Sequence, residues 1–431
     1  MTAFVPTELP HGINLGDIAL FQEERAHEAF RLLRRDAPVH WNPGTERTNG
    51  FWSITKYDDI MYVSRNPETF ISSKGIAGPG LRNPDPSAFL RPGQGNASII
   101  TMDPPRHVQV RRLVNKGFTP RAVNAMEPKI RQITLEILDE VGDKRDGDFV
   151  LEVASQLPLA VICGMMGLEK DVWPLMFELT NSILGSGDPE YQAQNVDAEK
   201  VGTAEGAQQT GAAGFMRMIG YFRDQLEDRR KNPRTDDLVS ILLESEIDGE
   251  RLEEGDILAF CFLLVVAGNE TTRNAISGGL IALCQHPEER ARLQAAIREG
   301  DGELVDSAVE EIVRWTSPLH HMTREATRDV EIRGQQISAG EKVIMWYPSA
   351  NRDEDYFEDP YRFDIGRTPN DHLAFGIGEH FCLGAGFARK EVRVMFEELF
   401  TRFPDIELAG PPDRLRSNFI NGVKHLPVTY R

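Results

Sequence analysis

Two short stretches of this 431-residue chain carry side chains able to do chemistry. The first is Phe375-Gly376-Ile377-Gly378-Glu379-His380-Phe381-Cys382-Leu383-Gly384. Its cysteine stands among glycines and ahead of Ala388, Val392, Met395, Phe396, Leu399 and Phe403, which recur at helical spacing. A cysteine at a helix N-terminus faces unpaired backbone N–H groups, which favour thiolate over thiol. Gly376 and Gly378 suit a tight turn, and Gly384 leaves room for a flat cofactor against the backbone. Cys382 is therefore a candidate ligand to an iron held in such a cofactor. The competing reading is a buried structural cysteine, the usual fate of an isolated one.

The second stretch is Ala267-Gly268-Asn269-Glu270-Thr271-Thr272, in the middle of a long apolar helix predicted over 256–284. Glu270 is the only acid between Asp256 and Glu288. Gly268 costs the helix about 1 kcal/mol relative to alanine, which suggests a close approach to a cofactor face. The Thr271 hydroxyl can bond back to the carbonyl of Ala267 and open the helix into a small polar notch suited to dioxygen and water. The alternative is a surface Glu270 paired with Arg273 at i+3, with Thr271 as helix filler.

The elements that must position these residues are mainly helical, with a small β region. Short strands are predicted at 39–41 and 51–55, a helix at 56–65, and helices from His107 to about Thr316, interrupted by a polar Gly/Ala-rich segment at 185–214. Strand-like segments follow at 330–333 and 342–347, and the tail 411–431 reads as strands and loops. The stretch 75–97, rich in Gly, Pro and Asn, is a long irregular loop of the kind that is functional or mobile. No linker, repeat or low-complexity block divides the chain, and 40% hydrophobic residues suffice for one large core, so residues 1–431 are expected to form a single catalytic domain. Four scattered cysteines (Cys163, Cys261, Cys284, Cys382) show no zinc-like spacing and point to a reducing cytoplasm. Residues 1–10 have no signal or anchor pattern, and the longest apolar run, 259–267, is shorter than a membrane span needs, so no membrane insertion is expected. A net charge of −19 argues against a nucleic-acid partner. Against that background, 104–125 contains no acid but carries Arg106, Arg111, Arg112, Lys116 and Arg121.

The cysteine loop matches the haem-binding signature of the cytochrome P450 family, and the chain resembles that family, of the soluble bacterial type, over nearly its whole length. The resemblance implies the P450 fold, one haem b with Cys382 as axial ligand and Phe375 beside it, and monooxygenase chemistry on a C–H bond. It implies that Thr271 stabilises activated oxygen and that Glu270 relays protons. By the same resemblance, His107, Arg111, Arg324 and His380 hold the haem propionates, which must be paired when buried. Glu311 and Arg314, at i, i+3 on one helical face, with Arg362 of Pro360-Tyr361-Arg362-Phe363, resemble the family's buried Glu-Arg-Arg network.

The stretches Val266–Asn274, Ser349–Glu354 and Asn421–His425 resemble bacterial members that oxidise steroids and terpenoids. A hydrophobic substrate is expected over Leu264, Val265 and Ala267, walled by the 75–97 loop, Leu319 and Ile420. Polar contacts would come from His320, Asn418 and Asn421, and Arg82 and Arg91 are candidates for a carboxylate. With no GxGxxG or Walker-type glycine loop, electrons must come from separate proteins. The expected donor is an acidic ferredoxin with its NAD(P)H-dependent reductase, docking on Arg112, Lys116, Arg389 and Lys390. Alternatives are a peroxide-driven haem oxygenase of fatty acids, which would lack the Glu270–Thr271 pair, and a non-catalytic haem-binding protein, which would need no notch.

Overall fold

The computed structural model describes residues 12–44, 50–76, 98–234, 237–247 and 249–431. The 77–97 part of the predicted loop, with Arg82 and Arg91, and residues 1–10 lie outside them. The architecture is mainly helical, organised about one apolar helix, Glu254–Gln285. It packs against helices Gln156–Met165, Gly302–Thr316, Ala204–Lys231, Trp173–Leu184 and Ala385–Arg402. Its residues Ala275, Ile276, Leu280 and Leu283 share a buried cluster with Ile312, Val392, Phe396 and Leu399. Its first half joins a second cluster with Phe215, Phe222 and Ile162. This helix is long and apolar enough to cross a membrane, but most of that stretch is covered by the protein itself.

A five-stranded sheet lies to one side, in the order Val39–Asn42, Phe51–Ile54, Lys342–Trp346, His321–Ala326, Phe70–Ile71. Lys342–Trp346 runs parallel to Phe51–Ile54 and antiparallel to His321–Ala326. Alternation along a strand puts Met322 and Arg324 on one face, and both line the cavity described below.

One helix boundary differs from the sequence expectation. The segment 185–214 was expected to interrupt the helices throughout, yet the helix Ala204–Lys231 begins inside it, capped by the Thr203 side chain, which accepts the Gly206 N–H at 3.0 Å. At Gly214 the small residue serves packing: a Cβ there would meet Ile183 and Ser182 at 3.1 Å, where this helix crosses Trp173–Leu184.

Candidate active site

The cysteine loop is shaped by glycine conformation and by one tertiary hydrogen bond. Gly376 and Gly378 have φ of +67° and +75°, a region other residues rarely adopt, and a Cβ on Gly378 would sit 2.6 Å from the Ser64 carbonyl oxygen. The Leu373 N–H donates to Asn351 Oδ1 at 2.7 Å, the Gly376 N–H to the Leu373 carbonyl at 2.9 Å, and the Cys382 N–H to the Phe375 carbonyl at 2.9 Å. Cys382 then stands just before the helix Ala385–Arg402. Burial pushes its thiol up, while N–H groups of Gly384 and Ala385 and the charges of Arg111 and Arg389 oppose that shift. In the protein alone burial wins, so the helix terminus by itself does not make the thiolate; a bound metal ion is what would deprotonate it.

Across a cavity from Cys382 lies the central helix. The cavity encloses about 1640 Å³ of empty space, part of it open to solvent, and is lined by Leu264, Ala267, Gly268, Thr271 and Thr272 on one side and by Phe375 to Gly384 on the other. The Thr271 hydroxyl donates to the Ala267 carbonyl at 2.8 Å, the back-bond expected from the sequence. A Cβ on Gly268 would make only ordinary contact with Ile162 at 3.5 Å. Among the described residues no contact requires the glycine, and it lies on the cavity lining. Glu270 points away from solvent: it is buried and paired with Arg273, so the surface pair weighed from sequence is instead an interior one.

At one edge of the cavity four basic side chains converge. His107 and Arg111 share a face of the helix Arg106–Val114, and Arg324 and His380 approach from the sheet and the cysteine loop. The rings of His107 and His380 lie 4.2 Å apart. His380 Nε2 bonds the Ser72 hydroxyl at 3.1 Å, while buried His107 Nδ1 has no partner. Burial first, then the arginine and histidine neighbours, hold His380 down to about 2; burial and Arg111 hold His107 down to about 4. Arg324 is buried, donates to the Thr323 carbonyl at 2.8 Å, and has no carboxylate within ion-pair distance among the described residues. Such a cluster of two guanidinium groups, two imidazoles and an orphaned nitrogen fits a ligand carrying carboxylates. Together with the thiol and the open space beside Gly384, where a Cβ would meet nothing within 4 Å, the residues fit a haem.

The supporting network departs from the sequence reading in one member. Glu311 and Arg314 form a fully buried bidentate pair at 2.7 and 2.8 Å. Arg362, however, is exposed, and its one ion pair among the described residues is with Asp364, at 3.9 Å. The third member is Arg367, whose Nε lies 3.3 Å from Glu311 Oε2. Arg362 contributes its backbone carbonyl instead, accepting from both Arg314 and Arg367. The chain turns between 362 and 367, so the segment was recognisable but the guanidinium that faces inward was not.

The expected substrate contacts are also revised. Leu264, Ala267 and Leu319 line the cavity; Val265 and Ile420 do not. His320 packs its ring 4.7 Å from Phe21, Asn421 donates to the Thr316 carbonyl at 2.5 Å, and Asn418 to that of Leu15 at 3.5 Å. These three hold the chain together outside the cavity. The distal lining is instead apolar: Ile99, Ile100, Phe260, Leu263, Pro318 and Met322. Glu391, also on the lining, was not singled out from sequence. Burial pushes its carboxyl up to about 8, and its Oε2 has no partner.

On the other side of Cys382 is a concave surface lined by Arg111, Phe118, Phe381, Arg389 and Lys390. Of the four cations expected to be free for docking, Arg389 and Lys390 line this surface, and both are paired. Arg389 is held by Glu310 at 2.5 Å and Lys390 by Glu127 at 2.6 Å. Arg112 and Lys116 are exposed, with no ion pair among the described residues.

Residues 202–424 match the family model for cytochrome P450. The chain is 44% identical over 437 residues to a methyl-branched lipid omega-hydroxylase of Mycobacterium tuberculosis, covering 99% of this chain and 96% of the relative. It is 36% identical to a steroid C26-monooxygenase of the same organism, covering 98% and 93%. Among solved structures, a cytochrome P450 of Mycobacterium marinum in complex with pseudoionone superposes with a TM-score of 0.87 at 34% identity, covering all of both chains. One from Bacillus megaterium in complex with testosterone gives 0.81 at 35% identity, covering 95% and 99%. With that fold, that loop and relatives spanning its full length, the chain belongs to the cytochrome P450 family of monooxygenases.

Proposed function

We propose that residues 1–431 form one cytoplasmic catalytic domain that binds haem b through Cys382 and hydroxylates the end of a branched alkyl chain in a lipid, terpenoid or steroid. The observation that carries this reading is the cavity itself, which has a thiol at one wall, a threonine notch opposite, basic side chains at one edge and an apolar distal lining. The haem supplies insertion of one oxygen atom from dioxygen into a C–H bond. The protein's part is to orient, to exclude water and to move protons. Arg324, His107, Arg111 and His380 would hold the propionates, with Phe375 beside the ring. Leu263, Leu264, Phe260 and Met322 would pack a methyl-branched chain, each Å² of apolar contact contributing about 25 cal/mol. Among the described residues the distal lining carries no charged group to hold a head group, so a chain terminus rather than a polar end would face Thr271.

The relatives support this chemistry: one is named for the omega position of methyl-branched lipids and one for C26 of steroids, both chain ends. Titration of the purified haem protein with a methyl-branched lipid, a cholestane-type steroid and a linear fatty acid should give a low-spin to high-spin shift with one of the first two and a terminally hydroxylated product. A shift and product from the linear acid alone would overturn the substrate class.

Thr271, half-exposed to the cavity, would hold a proton at the reacting oxygen, and Glu270 would supply it. Thr271→Ala should leave reductant consumption running while oxygen is diverted to hydrogen peroxide, with product per reductant falling about a hundredfold, the lower end of what a proton-transfer group contributes. Peroxide yield equal to the parent's would remove Thr271 from this role.

Electrons would come from an acidic ferredoxin served by an NAD(P)H-dependent reductase. Because Arg389 and Lys390 are neutralised within the protein, the steering charge narrows to Arg112 and Lys116. Reversing both to Glu should slow reduction severalfold at low salt, with the difference fading as ionic strength shortens the screening length to about 8 Å near 0.15 M. Stopped-flow reduction rates independent of the substitution at every salt concentration would refute it.

A further inference from the structure

Two stretches that the haem chemistry leaves unused meet at one side chain. Asn274 lies one helical turn beyond Glu270, and Val423 opens the short strand Val423–His425 near the C-terminus. The buried Asn274 amide bridges them: its Oδ1 accepts the Val423 N–H at 3.1 Å, and its Nδ2 donates to Glu270 Oε1 at 3.3 Å. The backbone donor settles which way the amide points, since only an oxygen can face it. Nδ2 is thereby committed to the carboxylate.

The same Oε1 receives an N–H from Arg273, whose other terminal nitrogen donates to Asn181 Oδ1 at 2.9 Å on the helix Trp173–Leu184. The Arg273 guanidinium lies over the Phe177 ring at 5.6 Å. Glu270 Oε2 is buried and takes no donor among the described residues. Tyr191 is close enough for the charges of Glu270 and Arg273 to act on its phenol, and beyond it Asp188 and Glu190 bind Lys424 at 3.3 and 2.8 Å. The two oxygens of Glu270 are thus unequal, one with two donors and one with none.

We propose that Asn274 is a positioning residue that anchors Glu270 through Oε1 and leaves Oε2 as the oxygen that exchanges protons beside Thr271. This rests on the reading of Glu270 as the proton donor. A carboxylate oxygen that already accepts two hydrogen bonds must give one up before it can take a proton, whereas an oxygen with no donor need not. Here a proton from water binds Oε2 and leaves from it toward the reacting oxygen, and Glu270 returns to the carboxylate with its anchor unbroken. The bond to Val423 ties that geometry to the C-terminal hairpin, so the carboxylate's orientation does not depend on the helix alone.

Asn274→Asp is the discriminating variant. It is isosteric and still accepts the Val423 N–H, but it cannot donate to Glu270 as a carboxylate. Asn274→Ala removes both bonds. In the haem-loaded protein, both should keep the carbon-monoxide band and the ligand spin-shift midpoint. Both should lower product per reductant by about tenfold, the scale of losing one hydrogen bond to a charged group, and raise the solvent deuterium isotope effect on turnover. Crystal structures of the variants should show Glu270 Oε1 displaced from its place beside Arg273. If Asn274→Asp matches the parent in coupling, isotope effect and Glu270 orientation, Asn274 is only a hairpin anchor and the inference fails. If Asn274→Ala does not fold, Asn274→Asp alone decides. Glu270→Gln separates the underlying reading: parental coupling in that variant would show that Glu270 moves no proton, and the positioning role would fall with it.

Discussion

Cys382→Ala is expected to abolish the red-shifted Soret band of the reduced, carbon-monoxide-bound protein, while alanine at Cys163, Cys261 or Cys284 leaves it intact. Of the four cysteines, only Cys382 lines the large cavity. Cys163 and Cys261 are packed in the core, where burial pushes each thiol up to about 12, opposed at Cys261 only weakly by the charge of Arg229. Cys382 differs in having two backbone N–H groups and two guanidinium charges that act against its burial, the setting in which iron can take a thiolate. The effect should be all-or-none, because no second thiol lies on the described lining to replace it. A band lost with one of the other cysteines, and kept without Cys382, would refute the assignment.

The second large effect is expected at Glu311. Its carboxylate accepts both nitrogens of Arg314, the N–H of Asp364 at 2.9 Å and the Asn370 amide at 3.2 Å, with Arg367 closing the group. Arg314 meanwhile donates to the carbonyls of Asn351 and Pro360 at 2.6 and 3.0 Å. Asn351 in turn receives the Leu373 N–H, so the network holds the segment that leads into the cysteine loop. Glu311→Ala leaves Arg314 charged, buried and unpaired, a change that costs about 3–5 kcal/mol. We expect a marked fall in thermal midpoint and protein purified with little haem. Arg367→Ala should follow in the same direction, and Arg362→Ala, an exposed side chain, should stay within about 0.5 kcal/mol of the parent. Equal losses for Arg362→Ala and Arg367→Ala would contradict the placement of the third member. Haem content and thermal unfolding of the same preparations give both readings.

What could be read from the chain alone lies within about one helical turn or one loop. The Thr271 back-bond, the Glu311–Arg314 pair and the glycine conformations around Cys382 all join residues at most four apart, or a residue to its own backbone. Such geometry follows from helix pitch and from the conformations open to glycine, and the family resemblance rests on the same local patterns. The long apolar helix was legible for a like reason: its length and composition demand burial wherever it packs.

The features that tertiary structure alone decided join distant segments. Arg367 rather than Arg362 meets Glu311 because the chain turns between them, and both are charged residues in one short stretch. Arg389 and Lys390 are neutralised by Glu310 and Glu127, which come from two other helices. His320 and Asn421 serve packing and backbone bonding instead of the cavity. The anchor on Glu270 spans 149 residues between Asn274 and Val423. Charge and hydrogen-bonding capacity are properties of a residue and are visible in its letter. Which partner satisfies them depends on how helices and hairpins cross, and neither periodicity nor spacing encodes that.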